Sequence, residues 1–315
     1  MILSVVIPTR DKAALLARTL AALHAQRLDE PWEIVVVDDA SGDGTPALLA
    51  AAPGARLRVV TCPRNVGRAA ARNLGWRAAA GRWVLFLDDD IVAPPGLLAA
   101  HLSRLREAPG CGTIGRVVTD PAIVDGALFH YLDSRGVAKG GAGEVPARWF
   151  VTQNAAVPRE ALAAVGGFDE RFRVWGFEDM ELAFRLEDRL GTRFLAVTAP
   201  VPLHAHHHTL AEWLAKKRGC GALSLPLLAD LHPGRLREMR LDWVLDRPGA
   251  ASRPAAAPLL RAAAGGPAPR LLAACAAAWP TGRGRAPRAA KLYARLLDLL
   301  VLLAYRRGLT DAPQA

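Results

Sequence analysis

The chain has 315 residues, of which 51% are hydrophobic, and its formal net charge is +10 at pH 7; this length suits one large α/β domain with an appendage, or two small domains, around a sizeable core. The positive charge is dispersed and no zinc finger, RNA-recognition signature or basic helical arm accompanies it, so nucleic acid is not an expected partner. The cysteines, Cys62, Cys111, Cys220 and Cys275, are far apart, so neither a disulfide framework nor a structural zinc site is predicted, and a reducing, cytoplasmic location fits.

The first half of the chain alternates between strand-like runs and helical patterns. The N-terminal run lacks a basic flank and is too short for a signal peptide, so we interpret it as the first strand. The strand-like runs end near Ile7, Val37, Thr61 and Leu87. A helical pattern lies between successive runs, and Asn65 is the predicted N-cap of the third helix. Repeated βαβ units predict an α/β fold with a Rossmann-like, doubly wound, mostly parallel sheet, although neither the G-x-G-x-x-G nor the P-loop motif is present.

The fourth strand-like run, Trp83–Leu87, leads directly into three consecutive carboxylates, Asp88, Asp89 and Asp90. Its composition is typical of a strand buried on both faces, so the acids fall at a strand end, where open α/β sheets bind ligands. At about 4 Å and an effective dielectric constant of about 20, each carboxylate pair costs about 4 kcal/mol. A divalent cation that holds a phosphate would relieve this repulsion. A solvated acidic turn is the alternative.

The rest of the chain is less regular. Residues 110–150 are Gly-rich and are interpreted as a loop over a site or as a linker. Beyond them the pattern predicts helices over 160–165 and 178–190 and a strand over 194–197. The tail 291–307 has an apolar helical pattern with basic ends, which indicates either an amphipathic helix on a membrane surface or a helix packed on protein. No apolar run reaches the ~18–20 residues that span a bilayer.

Several short motifs follow one another in an order that resembles the GT-A glycosyltransferases of family 2, an inverting group that uses nucleotide-diphosphate sugars. They are Pro8–Arg10, Val35–Thr45, Asn65–Gly75, Asp88–Asp90, Gly166–Glu170 and Glu178–Leu182. The resemblance covers about residues 1–220. It implies a GT-A catalytic domain over 1–220 and a helical, partly Pro/Ala-rich C-terminal extension over 221–315.

The resemblance also implies an activity, namely hexosyl transfer with inversion from a UDP, GDP or dTDP sugar, with Mn²⁺ or Mg²⁺. The acceptor would be a hydroxyl of a glycan, a lipid-linked sugar or a small metabolite. The Q-x-x-R-W motif of processive members is missing, so limited sugar addition is expected. The implied location is cytoplasmic, with peripheral membrane contact through the C-terminal helix as an open alternative. A sugar nucleotidyltransferase and a non-catalytic sugar-nucleotide-binding protein remain as alternatives.

Carried onto matching positions, the resemblance assigns the donor site to Pro8, Thr9, Arg10, Asp39, Arg72, Asp88 and Asp89. Asp39 would accept hydrogen bonds from the base or ribose, and Arg72 would hold the base edge or a phosphate. Asp90 would bind the metal ion and Asp88 the ribose or sugar, while strand alternation turns Asp89 away from the metal. The alternatives are that Asp39 caps a turn and that Arg72 lies on the surface.

The remaining assignments concern the acceptor side. Asp179, paired with Glu178, would be the general base, although a helix N-terminus stabilises a carboxylate and weakens it as a base. The sugar or acceptor pocket would contain Asn154, Trp175 and Trp149, the tryptophans being equally suited to the core. In the His-rich run, alternate residues share one face if the chain is extended, and His206, then His204, would be a further metal ligand. A polar strand end is the alternative.

Overall fold

The computed structural model describes residues 1–52, 54–123, 126–206, 208–239, 241–245, 257–279 and 287–311. The strands are β1 (Leu3–Thr9), β2 (Trp32–Asp38), β3 (Leu57–Thr61), β4 (Trp83–Leu87), β5 (Ile91–Val92), β6 (Gly112–Gly115), β7 (Val118–Thr119), β8 (Glu144–Val145), β9 (Asn154–Pro158), β10 (Phe194–Val197) and β11 (Leu203–His204). The helices are α1 (Ala13–His24), α2 (Thr45–Ala51), α3 (Arg68–Ala78), α4 (Leu97–Glu107), α5 (Ala127–Asp133), α6 (Arg159–Val165), α7 (Glu178–Leu190), α8 (Leu210–Gly219), α9 (Leu225–Leu231), α10 (Pro233–Glu238), α11 (Ala257–Gly265), α12 (Ala268–Ala277) and α13 (Pro287–Asp311).

The chain folds into two compact units. The first comprises Met1–Val124, Asp133–Arg171 and Asp179–His207, and the second comprises Asp125–Leu132, Phe172–Glu178 and His208–Ala315. The predicted boundary after residue 220 falls within a helical stretch, in which Cys220 begins a π-helical turn that joins α8 to α9.

The first unit is built on an eight-stranded sheet in the order β3-β2-β1-β4-β9-β6-β10-β8. The first four strands are parallel, β9 runs antiparallel to both β4 and β6, and β10 is again parallel to β6. Every residue of β2 and β4 is buried, as expected for strands covered on both faces. The doubly wound, mostly parallel sheet is thus confirmed, and the carboxyl ends of β1, β2 and β4 meet at one edge.

The start of α3 differs from the prediction. Asn65 does not cap this helix, which begins at Arg68 after Gly67, whose φ is 88°. Instead the Asn65 amide donates a hydrogen bond to Asp39 Oδ2 at 3.0 Å. The loop before α3 is therefore held by a residue that follows β2.

A buried histidine joins α4 to the middle of the sheet. His101 is fully buried, with Nδ1 2.8 Å from Thr113 Oγ1 and Nε2 2.9 Å from Asn154 Oδ1. Burial lowers the pKa of His101 to about 4, opposed by the Asn154 hydrogen bond, so the ring is neutral at pH 7. Asn154 is 1% exposed, and its side chain is hydrogen-bonded inside the sheet. Its place in the acceptor pocket therefore stays a prediction.

The second unit is helical. The apolar side of α13 packs against α8, the π-helical turn, α11 and α12, and it buries Tyr293, Leu297, Leu300 and Leu303. The approach is close, because a Cβ on Gly308 would overlap the Arg218 carbonyl oxygen. This packing favours the protein-packed interpretation of the tail over a membrane-surface helix. Among the described residues, we find no helix with the length and apolarity to cross a bilayer.

The buried histidine predicts how stability depends on pH. Because the pKa of His101 is near 4 in the folded chain and about 6.5 when unfolded, only the unfolded state takes up a proton between these values. The free energy of unfolding should therefore fall between pH 6.5 and pH 4, by on the order of 3 kcal/mol from this group. Urea titrations across this range should show a shallower pH dependence for His101→Gln. His24→Gln, at a half-buried position in α1, is the matched control and should keep the wild-type slope.

Candidate active site

Two loops that leave the sheet edge are tied to each other. The Asp11 amide donates to Ser41 Oγ at 3.0 Å, and the Gly42 amide donates to Asp11 Oδ1 at 2.6 Å. Asp38, not Asp39, caps the turn that follows β2, since its Oδ1 accepts from the Ser41 amide at 3.0 Å. The ends of β1 and β2 thus form one braced rim. Pro8 is half-buried in this rim. Arg10 is exposed, and its Nε lies 3.4 Å from Asp11 Oδ2.

Asp39 is 5% exposed and holds the loop that leads into α3. Its carboxylate accepts hydrogen bonds from the Val66 amide at 2.6 Å, the Gly67 amide at 3.0 Å and the Asn65 side chain. A carboxylate has about four acceptor positions, so about one is left for a ligand.

The three acids after β4 do not alternate as predicted, because the strand ends at Leu87 and a turn follows. Asp89 and Asp90 converge on one ammonium group, with Lys12 Nζ 2.8 Å from Asp89 Oδ1 and 2.8 Å from Asp90 Oδ2. The second oxygen of Asp89 accepts from Thr9 Oγ1 at 2.8 Å. Asp89 is therefore held inside the rim by Lys12 and Thr9, whereas Asp88 contacts Arg72.

Charge and burial compete at this acid pair. Burial raises the pKa of Asp89 above its usual range, and the Lys12 ammonium offsets only part of this effect. For Asp90, burial is outweighed by contacts with His204 and Lys12, which hold its pKa well below the usual range. Burial also opposes the charge on Lys12, but the two carboxylates raise its pKa to about 12. Lys12 is thus a permanent cation at the strand end, which the sequence analysis missed.

Arg72 is 3% exposed, so the surface interpretation of this residue is wrong. Its Nη2 lies 3.1 Å from Asp88 Oδ1, and its Nη1 lies 3.5 Å from Asp179 Oδ1. Asp179 Oδ1 also accepts a hydrogen bond from Thr152 Oγ1 at 2.7 Å. One buried guanidinium thus joins the donor-side carboxylate to the predicted base. Thr152, two residues before Asn154, was a further member that the sequence pattern did not single out.

Helix α7, which carries Asp179, is linked to α3 through the segment around Phe168. Asn73 Oδ1 accepts from the Phe168 amide at 2.9 Å, and its Nδ2 donates to the Phe168 carbonyl oxygen at 2.9 Å. Arg185, in α7, donates to the carbonyl oxygens of Val165 and Gly167, both at 2.7 Å. The Gly166–Glu170 motif therefore connects α7 to α3.

Glu178 and Trp175 belong to the second unit, and both have partners there. The Glu178 carboxylate accepts from the Gly176 amide at 2.9 Å, which closes a local turn. The Lys217 ammonium lies 4.4 Å from the centre of the Trp175 ring and covers one face. In the first unit, the half-buried Trp149 packs over Gly140, where a Cβ would come within 2.8 Å of the ring. Both tryptophans thus make packing contacts.

The predicted alternation of the histidines does not occur. His204, in β11, lies with Nε2 3.2 Å from Asp90 Oδ1. Burial would lower the pKa of His204, but the Asp90 carboxylate raises it above its ordinary value. The His206 ring is 6.4 Å from the His204 ring, and His208 contacts Lys216 at 2.7 Å in the second unit. Of these histidines, His204 is the one that contacts the acid predicted to bind the metal ion. His207 lies outside the described residues.

The described residues contain no ready-made group of three or more His, Cys, Asp or Glu side chains that could hold a metal ion. Asp90 and His204 supply one carboxylate and one imidazole. This set is too small for a closed metal site, and it suits a cation whose remaining ligands come from a bound phosphate.

Comparison with family models agrees with this architecture. Residues 4–136 match the model "Glycosyl transferase family 2", and residues 143–208 match "N-terminal domain of galactosyltransferase". The chain is 35% identical over 223 residues to the validoxylamine A glucosyltransferase of Streptomyces hygroscopicus subsp. jinggangensis, covering 59% of this chain and 51% of that protein. It is 30% identical over 261 residues to the pre-mycofactocin glycosyltransferase of Mycobacterium tuberculosis, covering 77% and 52%. The chain spans about half the length of these curated relatives.

Solved structures show the same fold. The mannosyltransferase PcManGT of Pyrobaculum calidifontis, solved with GDP-Man and Mn²⁺, aligns with a TM-score of 0.64 at 24% identity, covering 98% of this chain and 87% of that chain. TarS residues 1–349 of S. aureus, solved with UDP, align with a TM-score of 0.57 at 17% identity, covering 99% and 91%. The fold is of the GT-A type, the class of the glycosyltransferase structures that it resembles. Within that class, the chain belongs to glycosyltransferase family 2.

The buried guanidinium predicts a loss of stability on neutral substitution. Removing one partner of a fully buried ion pair costs about 3–5 kcal/mol. Because the side chains of Asp88 and Asp179 are 29% and 16% exposed, Arg72→Met should cost less. We expect its free energy of unfolding, measured with urea, to fall by about 2 kcal/mol. Arg77→Met, at an exposed site on the same helix, should change it by less than about 0.5 kcal/mol; an equal loss in both variants would contradict the prediction.

Proposed function

We propose that this chain transfers one or a few hexosyl residues from a nucleotide-diphosphate sugar to an acceptor hydroxyl, with inversion at the anomeric carbon and in a metal-dependent manner. The single observation that carries the proposal is the Arg72 bridge between Asp88 and Asp179. A displacement with inversion needs a donor side and a base side that face each other across the reacting carbon. Two carboxylates from distant parts of the chain, held by one guanidinium, supply such a pair.

On the donor side, the braced rim offers acceptors for a nucleotide. Asp39 keeps about one acceptor position for a base N–H or a ribose hydroxyl. Asp88 is 29% exposed and held by Arg72, so it can accept from a sugar or ribose hydroxyl while it stays ionised. Thr9 acts indirectly, because its hydroxyl group is used by Asp89. We therefore assign Thr9 and Asp89 to the support of the donor site.

The residues present fit a divalent cation that arrives with a diphosphate. Asp90 would hold it through a carboxylate oxygen and His204 through its imidazole, with phosphate oxygens as the other ligands. When bound, Mn²⁺ or Mg²⁺ stabilises the charge that develops on the leaving diphosphate. The protein's part is to keep Asp90 ionised, which the His204 and Lys12 contacts achieve.

On the acceptor side, Asp179 would take the proton from the incoming hydroxyl group. Its contacts with Arg72 and Thr152 favour the charged form, so it is a modest base whose strength lies in its fixed position. Glu178 would support the turn before α7. The sugar-nucleotidyltransferase alternative gives the Arg72–Asp179 contact no role.

The acceptor and the nucleotide are the open choices of this proposal. The names of the two relatives give validoxylamine A and pre-mycofactocin as acceptors to test first, and PcManGT adds GDP-mannose to the donors. We propose transfer of one or a few sugars, because the chain lacks the Q-x-x-R-W motif of processive members. Thermal-shift assays with UDP, GDP and dTDP sugars and Mn²⁺ should reveal the donor, since a ligand that binds the folded state raises Tm.

The base assignment predicts a separation of binding from catalysis. Asp179→Asn keeps the side-chain shape and its contact with Thr152 but cannot take a proton. We expect nucleotide affinity by calorimetry to stay near wild type while kcat for transfer falls by about 10²–10⁴-fold. Glu178→Gln, which alters only the neighbouring carboxylate, should lose much less. Normal turnover by Asp179→Asn would exclude this residue as the base.

The metal assignment predicts a different pattern. Asp90→Ala removes the carboxylate that would bind the cation, so Mn²⁺ should no longer strengthen nucleotide binding. Calorimetric titrations with and without EDTA should show that the metal-dependent gain falls by about tenfold or more. Asp188→Asn, which changes an exposed acid near the end of α7, is the charge-matched control and should behave as wild type. An unchanged metal-dependent gain in Asp90→Ala would reject the role of this residue.

A further inference from the structure

Lys12 lies between the end of β1 and the start of α1, where its ammonium group contacts two acids at once. Its Nζ is 2.8 Å from Asp89 Oδ1 and 2.8 Å from Asp90 Oδ2. The side chains of these acids are 6% and 4% exposed, whereas that of Lys12 is 28% exposed. The two carboxylates are therefore almost completely shielded from solvent. Of these three side chains, Lys12 is the one that is partly exposed, so solvent reaches the group from the lysine side.

The carboxylate of Asp90 lies beside two basic groups in this arrangement. Oδ2 accepts a hydrogen bond from the ammonium group of Lys12, and Oδ1, which accepts no hydrogen bond among the described residues, lies 3.2 Å from His204 Nε2. A cation that reaches the Asp90 carboxylate must therefore replace or approach one of these partners. An ammonium group is a compact positive charge, so a divalent cation beside it is strongly repelled in a poorly hydrated site.

We propose that Lys12 is a built-in counter-ion that keeps free divalent cations out of the acid pair and admits them only together with a nucleoside diphosphate. This inference rests on the proposed function and deepens it, because it makes Lys12 a positioning residue that controls how the metal and the donor enter. The metal ion and the nucleotide then bind together. The acid pair is stable when Lys12 contacts it or when the metal ion and the nucleotide are both bound, but not without any of these partners or with the metal ion alone.

The diphosphate is the partner that makes the exchange favourable. Its oxygens accept hydrogen bonds from an ammonium group, and its negative charge replaces the carboxylates that Lys12 gives up. The four-carbon stem of lysine is flexible, and the partial exposure of Lys12 gives the ammonium group room to turn outwards. Thr9 continues to hold Asp89 through its hydroxyl group when Lys12 moves.

The test measures Mn²⁺ binding directly, by the electron paramagnetic resonance signal of free Mn²⁺, in the full chain. Mn²⁺ is titrated alone and then with UDP, GDP and dTDP in turn. The variants are Lys12→Gln, which removes the charge, and Lys12→Arg, which keeps it. Arg18→Gln is the control for loss of one positive charge, because Arg18 lies on α1 but pairs with Asp120 at 3.3 Å and not with the acid pair. Lys12→Met replaces Lys12→Gln if thermal unfolding shows that the latter does not fold.

For Mn²⁺ alone, we expect Lys12→Gln to bind at least tenfold more tightly than wild type, Lys12→Arg and Arg18→Gln. With the matching nucleoside diphosphate, wild type should gain Mn²⁺ affinity and the difference between it and Lys12→Gln should shrink. If Lys12→Gln binds Mn²⁺ alone no better than wild type, the counter-ion role is wrong. If no nucleoside diphosphate strengthens Mn²⁺ binding in any variant, the proposed function fails, while the titrations with Mn²⁺ alone still decide the role of Lys12.

Discussion

The arrangement of the acids depends on one buried guanidinium. Arg72 is almost completely removed from solvent, yet it lies beside Asp88 and Asp179, whose chain positions are far apart. Two carboxylates so placed would repel each other, and the shared cation turns that repulsion into a link. The same contact favours the ionised form of Asp179, because a positive charge lies beside it. Under the proposed assignment of Asp179 as the base, its fixed position would contribute more to catalysis than its basicity.

The sequence predicted what local patterns encode. The run Trp83–Leu87 is a buried strand as its composition indicates, and α7 occupies the predicted range 178–190. In both elements the pattern of apolar residues is complete within a few residues of the chain, so they can be recognised without knowledge of distant contacts. The position of the acids directly after a strand-like run also indicated that they lie at the edge of the sheet.

The sequence could not predict contacts between distant residues. If β4 continues past Leu87, strand alternation turns Asp89 away from Asp90. A turn follows Leu87 instead, and it brings both acids to Lys12. The sequence places Asn154 in a pocket but gives no sign of its contact inside the sheet with His101, which is 53 residues away. An amphipathic tail such as α13 likewise has the same pattern whether lipid or protein covers it, and only the packing around Gly308 distinguishes the two.

The contact between α3 and the Gly166–Glu170 motif limits which residues can replace Gly167. Gly167 has a φ of 74°, and a Cβ there would overlap the side-chain oxygen of Asn73. That oxygen also receives the Phe168 amide and the Trp76 indole N–H. A larger residue at 167 would therefore displace Asn73 and also the Trp76 indole nitrogen, which would lie 2.6 Å from its Cβ, and it would have to adopt an unfavourable φ. Two segments more than ninety residues apart thus depend on one position that has no side chain, so even an alanine at 167 should loosen the connection between α3 and the segment that leads to α7.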